Sequence, residues 1–352
     1  MSEPAKTLSG VPKARYGAFG GITPFPICLK AVSDYLGDEL DYTYAIVACG
    51  GAFRFAWNTA EWDGGNVDIM FAYDDAERPF RYGVEALGRE FKMLWREGKD
   101  MGHASSGRKE DFKAFIGEQI DLGHPAISLG PIGPCEAGIL TGYSDDGDAL
   151  LGWSVFQDWE KLELHEEGYF ITDKWWDKGD FIGVMALGDI TGPRWGVEQI
   201  LPIAIAALEG RQEGSHAKGI AAYGAWKKAI LSADRHEFKK DCEGMNLVMM
   251  CQGDATDCLI DGRKNAYKYF KALAEEHPGQ PLYDEIAKQF GIVANTIHHK
   301  IYKVLHGHQR GKKQLRALKR PRVRKKIGGC IDVMKAADER ALGLMKELLG
   351  AL

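Results

Sequence analysis

The chain has 352 residues, 45% of them hydrophobic and 27% charged, with a formal net charge of −5. These values fit a globular protein with room for one large or two medium domains, and they give no global attraction for nucleic acid or an anionic membrane. The seven cysteines, at 28, 49, 135, 242, 251, 258 and 330, are odd in number and form no C-x-x-C pair; this argues against a disulfide framework and a zinc knuckle, and for a reducing, cytoplasmic location.

The opening stretch, MSEPAKTLSGVPKARYGAFGG, lacks an uninterrupted apolar core, so no secretory signal is expected. No run of 18 apolar residues occurs, so no membrane-spanning helix is expected either. Residues 1–23 read as an irregular lead-in. Pro24 and Pro26 then punctuate the entry to a helix whose apolar residues Cys28, Leu29, Val32, Tyr35 and Leu36 follow helical spacing, with Gly37 as its stop. This places Cys28 in the first helical turn, where free backbone N–H groups and the helix dipole favour a thiolate. The competing reading is a buried structural thiol.

Residues 42–57 combine YAIVA, helical or strand-like, with the alternating AFRFAW. Arg54 lies between Phe53 and Phe55 and near Trp57, either as an exposed residue of a strand or as an anion contact lining a cleft. A polar loop, 58–68, carries Asn66. Residues 85–95 span a helix end and a strand start. Residues 109–123 form an amphipathic helix with Phe112, Phe115, Ile116 and Ile120 on one face, and Gly123 ends it. His124-Pro125 begins the stretch to Trp159, which reads as two or three short buried strands joined by Gly/Pro turns. Glu136 opens the apolar run AGILT, and a Gly-Tyr-x-Asp-x-Gly turn follows it. HEEG at 165–168 is a turn, and FIGVMALG at 181–188 a buried strand completing a sheet with those of 123–159.

Composition changes after Gly192-Pro193. Five helical segments follow, beginning near residues 197, 216, 255, 281 and 330. The expectation is an α+β part over 1–192 and an all-α part over 193–352.

A helix-start cysteine followed much later by a strand pair is the chain order of papain-like enzymes. The pieces PFPICLKAVSDYLG, GGAFRFAW, NVDI, IDLGHPAISLG and GILTGYSDDGDALLGW resemble the family of the butirosin-biosynthesis protein H N-terminal domain. GIAAYGAWKKAI and DGRKNAYKYFKALAEE resemble the helical domain that often follows it. The resemblance implies a papain-like cysteine-peptidase-like α+β domain with Cys28 as nucleophile, and acyl-transfer or amide-hydrolysis chemistry. Two positions depart from that pattern. The family's histidine, six residues before the Gly of the Gly-Tyr pair, is here Glu136. The orienting Asp or Asn is replaced by Gly152-Trp153-Ser154. In addition, no glutamine precedes Cys28 at the usual distance.

A carboxylate beside a thiol opposes thiolate formation. The expectation is therefore a degenerate relative that binds a small molecule in the cleft between Cys28 and Glu136. Arg54, Trp57, Asn66, His124, Tyr143 and Trp153 are the candidate binding residues. The alternative is an acyltransferase or amidohydrolase acting on a small amine or amino-acid derivative, with Cys28 and Glu136 catalytic or His124 as the base. No cofactor is expected. The helical part is expected to form a homodimer interface or a lid.

A second alternative is a nucleic-acid-linked regulator using residues 285–326. Ala287, Gly291 and Ile297 have helix-turn-helix spacing, and 306–326 carries ten Lys/Arg and no acid. Against it, Ile286, Phe290, Val293, Ile297, Ile301 and Val304 keep three-four spacing straight through Gly291, which favours one helix from Leu282 to Leu305. His298, His299, His306 and His308 cluster in sequence, but adjacent helical side chains diverge by about 100°, and no metal site is expected. Phosphate-loop, dinucleotide and H-E-x-x-H motifs do not occur.

Overall fold

The computed structural model describes residues 6–99, 103, 105–177, 180–242 and 244–352. The chain divides into two compact units, Met1–Ala45 with Phe80–Arg194, and Ile46–Pro79 with Trp195–Leu352. The change of composition at Gly192-Pro193 coincides with the last of the three seams, at Arg194. Residues 46–79, grouped by sequence with the α+β part, belong to the helical unit.

Among the described residues, the sheet unit is built on nine strands. Their order is Ser106–Gly107, Arg89–Arg96, Gly183–Ile190, Ala126–Leu129, Ala137–Ser144, Ala149–Ser154, Phe170–Thr172 and Glu163–Leu164. Lys6–Thr7 pairs with the Gly142-Tyr143 end of Ala137–Ser144. Every pairing is antiparallel except that of the first two strands. Ala126–Leu129 and Ala149–Ser154 are buried at every position, which is why their sequences read as continuous apolar runs. The Gly-Tyr-x-Asp-x-Gly motif has a local explanation. A Cβ at Gly142 would lie 2.5 Å from Lys6 O, so glycine admits the Lys6–Thr7 strand. Asp145, Asp146 and Gly147 all have positive φ, which closes the turn.

Of two helices of this unit, Lys109–Asp121 matches its expected span, and Pro24–Tyr35 ends as expected but begins one turn earlier. Pro24–Tyr35 starts with proline in its first turn and is followed by Gly37 at φ +87°. Lys109–Asp121 has Glu110 and Asp111 in its first turn, where they complement the dipole, and Asp111 Oδ2 accepts from Arg108 N at 2.8 Å. The segment 42–57 resolves as a helix, Tyr42–Ala48, a turn, and a short strand, Ala56–Asn58. The alternation around Arg54 belongs mostly to the turn, where Arg54 N donates to Gly50 O.

The helical unit contains Val197–Glu209, Ile220–Ser232, Leu247–Glu276, Leu282–Thr296, Lys312–Leu318 and Pro321–Ala351. Leu282–Thr296 runs through a π turn, Ile297–Ile301, into Tyr302–Leu305. One continuous helix therefore occupies the place of a helix-turn-helix. Ile286, Phe290, Val293, Ile297 and Ile301 are fully buried along it. A small sheet, Gln212–Glu213, His216–Lys218 and Ala56–Asn58, sits in the same unit. The core there gathers Phe55, Trp57, Trp62, Tyr223 and Trp226 with the inner faces of the helices.

Candidate functional site

Pro24 fixes the helix start early enough that Cys28 is its fifth residue. Cys28 thus lies one turn deeper than the spacing suggested, beyond the free N–H groups of the first turn. Its side chain is fully buried. The helix packs on the strands Ala126–Leu129 and Ala137–Ser144. Glu136 immediately precedes the second of these strands, where its carbonyl accepts from Gly130 N at 2.9 Å. Burial, and then the nearby Glu136 carboxylate, push the Cys28 thiol far above its ordinary pKa. Both influences hold it as the neutral thiol, the opposite of the environment that makes a cysteine nucleophilic.

The position expected for an orienting side chain has no room for one. A Cβ at Gly152 would lie 1.9 Å from Ile139 O across the strand pair. Trp153 is buried, with its Nε1 donating to Val11 O at 2.9 Å and its ring edge-on to Tyr169. Ser154 Oγ donates to Ile132 O and accepts from Phe156 N. Tyr143 is half-buried, and its hydroxyl donates to Asp121 Oδ1 at 3.2 Å. His124 follows Gly123, whose φ is +82°, and its backbone N caps the preceding helix at Gln119 O.

Arg54, Trp57 and Asn66 belong to the other unit and are built into it. Arg54 donates to Gly51 O at 2.8 Å and to Val67 O at 3.1 and 3.3 Å. Trp57 stacks with Trp226 and meets Trp62 edge-on. Asn66 Oδ1 accepts from Asn58 N at 2.6 Å, while its buried Nδ2 has no hydrogen-bond partner among the described residues.

Three polar groupings of the helical unit gave no sequence signal, because each is completed by a residue distant in the chain. Arg263, fully buried, donates to both Asp338 oxygens, at 2.7 to 3.2 Å, and to Ala52 O and Arg54 O; Tyr223 adds a 2.7 Å bond to Asp338. Asp63 accepts from Asn58 Nδ2 and Gly65 N and lies 3.3 Å from His216 Nε2. Burial opposes the Asp63 charge, but these donors together hold its carboxyl below the ordinary range. Arg310 pairs with Asp254 and, at 2.9 Å, with Asp257. The unit also holds a cavity of about 230 Å³ lined by Tyr73, Asp74, Arg78, Glu209, Arg211 and Lys218, among others. Asp74 bridges Arg78 and Arg211 there, at 2.8 and 2.9 Å, and Lys218 donates to Tyr73 O.

Among the described residues, no group of three or more His, Cys, Asp or Glu side chains is placed to hold a metal ion. No helix there is long and apolar enough to cross a membrane. No protein-family model matches the chain, and no curated protein matches it.

Proposed function

We propose that the chain is a small-molecule-binding protein on a papain-like α+β scaffold, of the kind seen in the butirosin-biosynthesis protein H family, in which Cys28 does no covalent chemistry. The observation that carries this reading is the buried Cys28 thiol beside a carboxylate at the position of the expected histidine. A cysteine nucleophile needs a base or cation to lower its pKa. Here burial and Glu136 act together in the other direction. A carboxylate in place of an imidazole suits recognition of a cationic group, so the ligand class is a small amine or amino-acid derivative held through Glu136.

The cavity in the helical unit favours a second reading, in which the same ligand class binds there. Its lining carries both signs, with Asp74 paired to Arg78 and Arg211 and Glu209 to Lys346, so a ligand bearing both a carboxylate and an ammonium would bind by exchanging with these pairs. At about 230 Å³ it lies below the roughly 300–1,000 Å³ of drug-sized sites, so its occupant is of metabolite size.

Alkylation of the native protein with iodoacetamide, read by mass spectrometry, tests the first clause. Cys28 is expected to react more slowly than the half-buried Cys135 and Cys330. Preferential labelling of Cys28 at pH 7 would restore acyl-transfer chemistry. Calorimetric titration with a panel of amino acids and primary amines tests the second clause. Glu136→Gln is expected to weaken binding about tenfold, the worth of one charge-assisted contact. Weakening by Arg211→Ala instead would move the site to the helical-unit cavity.

A further inference from the structure

Residues 286–331 contain no Asp or Glu. Within this stretch the fold sorts the bases of 306–326 into two classes. Arg310 and Arg324 are used internally, Arg310 on Asp254 and Asp257 and Arg324 on Leu318 O. Lys312, Lys313, Arg316, Lys319, Arg320, Arg322, Lys325 and Lys326 are all exposed, and none has a hydrogen bond or ion pair through its side chain among the described residues. Exposed bases elsewhere in the unit include paired ones, such as Lys288 with Asp284 and Lys346 with Glu209.

The placement of these eight cations is orderly. Lys312, Lys313 and Arg316 share a face of Lys312–Leu318 by three-four spacing, and Arg322, Lys325 and Lys326 share one on Pro321–Ala351. Lys319 and Arg320 occupy the turn between the two helices. The first turns of Pro321–Ala351 contain no acid and receive these bases at the positive end of the helix dipole, where cations are disfavoured. The molecule thus concentrates positive charge where its own electrostatics oppose it, in a chain whose net charge is −5. An external polyanion would relieve that repulsion.

We propose that the exposed face of residues 312–326 is a docking surface for the phosphodiester backbone of nucleic acid, recognised by charge and not by base sequence. The absence of sequence reading follows from the continuous helix Leu282–Leu305 that replaces a helix-turn-helix, which leaves no recognition helix set off by a turn. An anionic membrane fits less well. Leu318 and Val323 of this segment are turned into the core, and none of its large apolar side chains is exposed for insertion. This inference stands independently of the small-molecule reading.

Fluorescence anisotropy with labelled 20-mers, duplex DNA and single-stranded RNA, tests it on the full chain. Binding is expected in the micromolar range at 50 mM salt, within about threefold for unrelated sequences of one type. It is expected to weaken about a hundredfold by 200 mM salt, the dependence of about four neutralised phosphates. The triple variant Lys319→Glu, Arg320→Glu, Lys325→Glu is expected to abolish binding. Its melting temperature should equal or exceed that of the parent, because acids now face the positive helix end; the corresponding glutamine variant serves if the reversal fails to fold. Lys228→Glu, Lys264→Glu, Lys268→Glu makes the same change in net charge at exposed positions elsewhere, and is expected to cost only a few-fold. Three results would overturn the proposal: no binding at 50 mM salt, equal loss in the control triple, or binding to phosphatidylserine vesicles without binding to either nucleic acid.

Discussion

Asp254 and Asp257 stand three residues apart on Leu247–Glu276 and share one cation, Arg310. Burial, opposed by Arg310 and reinforced by Asp257, raises Asp254 to about 6. Asp257 is raised as well, again chiefly by burial. The sign of the consequence is opposite to that of a well-paired surface acid. Because the folded state holds the Asp254 proton more tightly than the unfolded chain, with its value near 3.9, keeping it ionised costs stability above about pH 6. That cost is relieved as pH falls from about 6 toward about 4. Relative to an Asp254→Asn variant, the parent is therefore expected to gain on the order of 2 kcal/mol between pH 7 and pH 4.5. Calorimetric melting across that range checks it, and a pH-independent difference between the two proteins would remove the argument. Little of this was legible in the sequence. Arg310 appeared only as one base in a run, and nothing local distinguishes it from Lys312 or Lys313. The pairing of Cys28 with Glu136 was expected from the family resemblance, which sets Glu136 at the position of the family's histidine; no local signature of either residue points to the other across a hundred residues of chain. The use of Arg54, Trp57 and Asn66 inside the helical unit was not legible, since it depends on which distant segments pack around them.

At the scale of elements, legibility followed apolar spacing. Leu282–Leu305 keeps its buried residues at three-four intervals, and this periodicity outweighed the turn-like Gly291. Leu247–Glu276 begins about eight residues before the expected start, because Gln252 and Gly253 are buried without being apolar and so interrupt the pattern. Gly291 offers a sharp test. It lies inside the helix, outside the positive-φ glycines. A Cβ there would approach the ring of Tyr267 at 3.3 Å, and Tyr267 is exposed enough to shift. Gly291→Ala is accordingly expected to stabilise the protein by about 0.5–1 kcal/mol through helix propensity and reduced chain entropy. Urea denaturation measures this directly. A loss of more than about 1 kcal/mol would mean that the position needs glycine's backbone freedom, as a helix-turn-helix turn would.

For the whole molecule, the discontinuity of the helical unit matters most. Composition marks the seam near residue 193, but composition is local and cannot report that residues 46–79 fold with a segment beginning more than a hundred residues later. Those residues are integral to the unit. Ala56–Asn58 pairs with His216–Lys218, Phe55 and Trp57 pack on Tyr223 and Trp226, and Ala52 O and Arg54 O complete the donors of buried Arg263. Removing the segment would forfeit five buried aromatics, of which Phe55 and Trp57 alone are worth about 3–5 kcal/mol each, and would leave a buried guanidinium short of acceptors. That sum rivals the roughly 5–15 kcal/mol that stabilises a typical domain. A fragment of residues 195–352 is therefore expected to keep helical far-ultraviolet dichroism while losing its near-ultraviolet tryptophan signal and its cooperative melt. Adding residues 46–79 through a short flexible linker ahead of residue 195 is expected to restore both. A cooperative melt of the 195–352 fragment alone would show that its helices close a core without Trp57, and would make the 46–79 segment an accessory instead of a part of the unit.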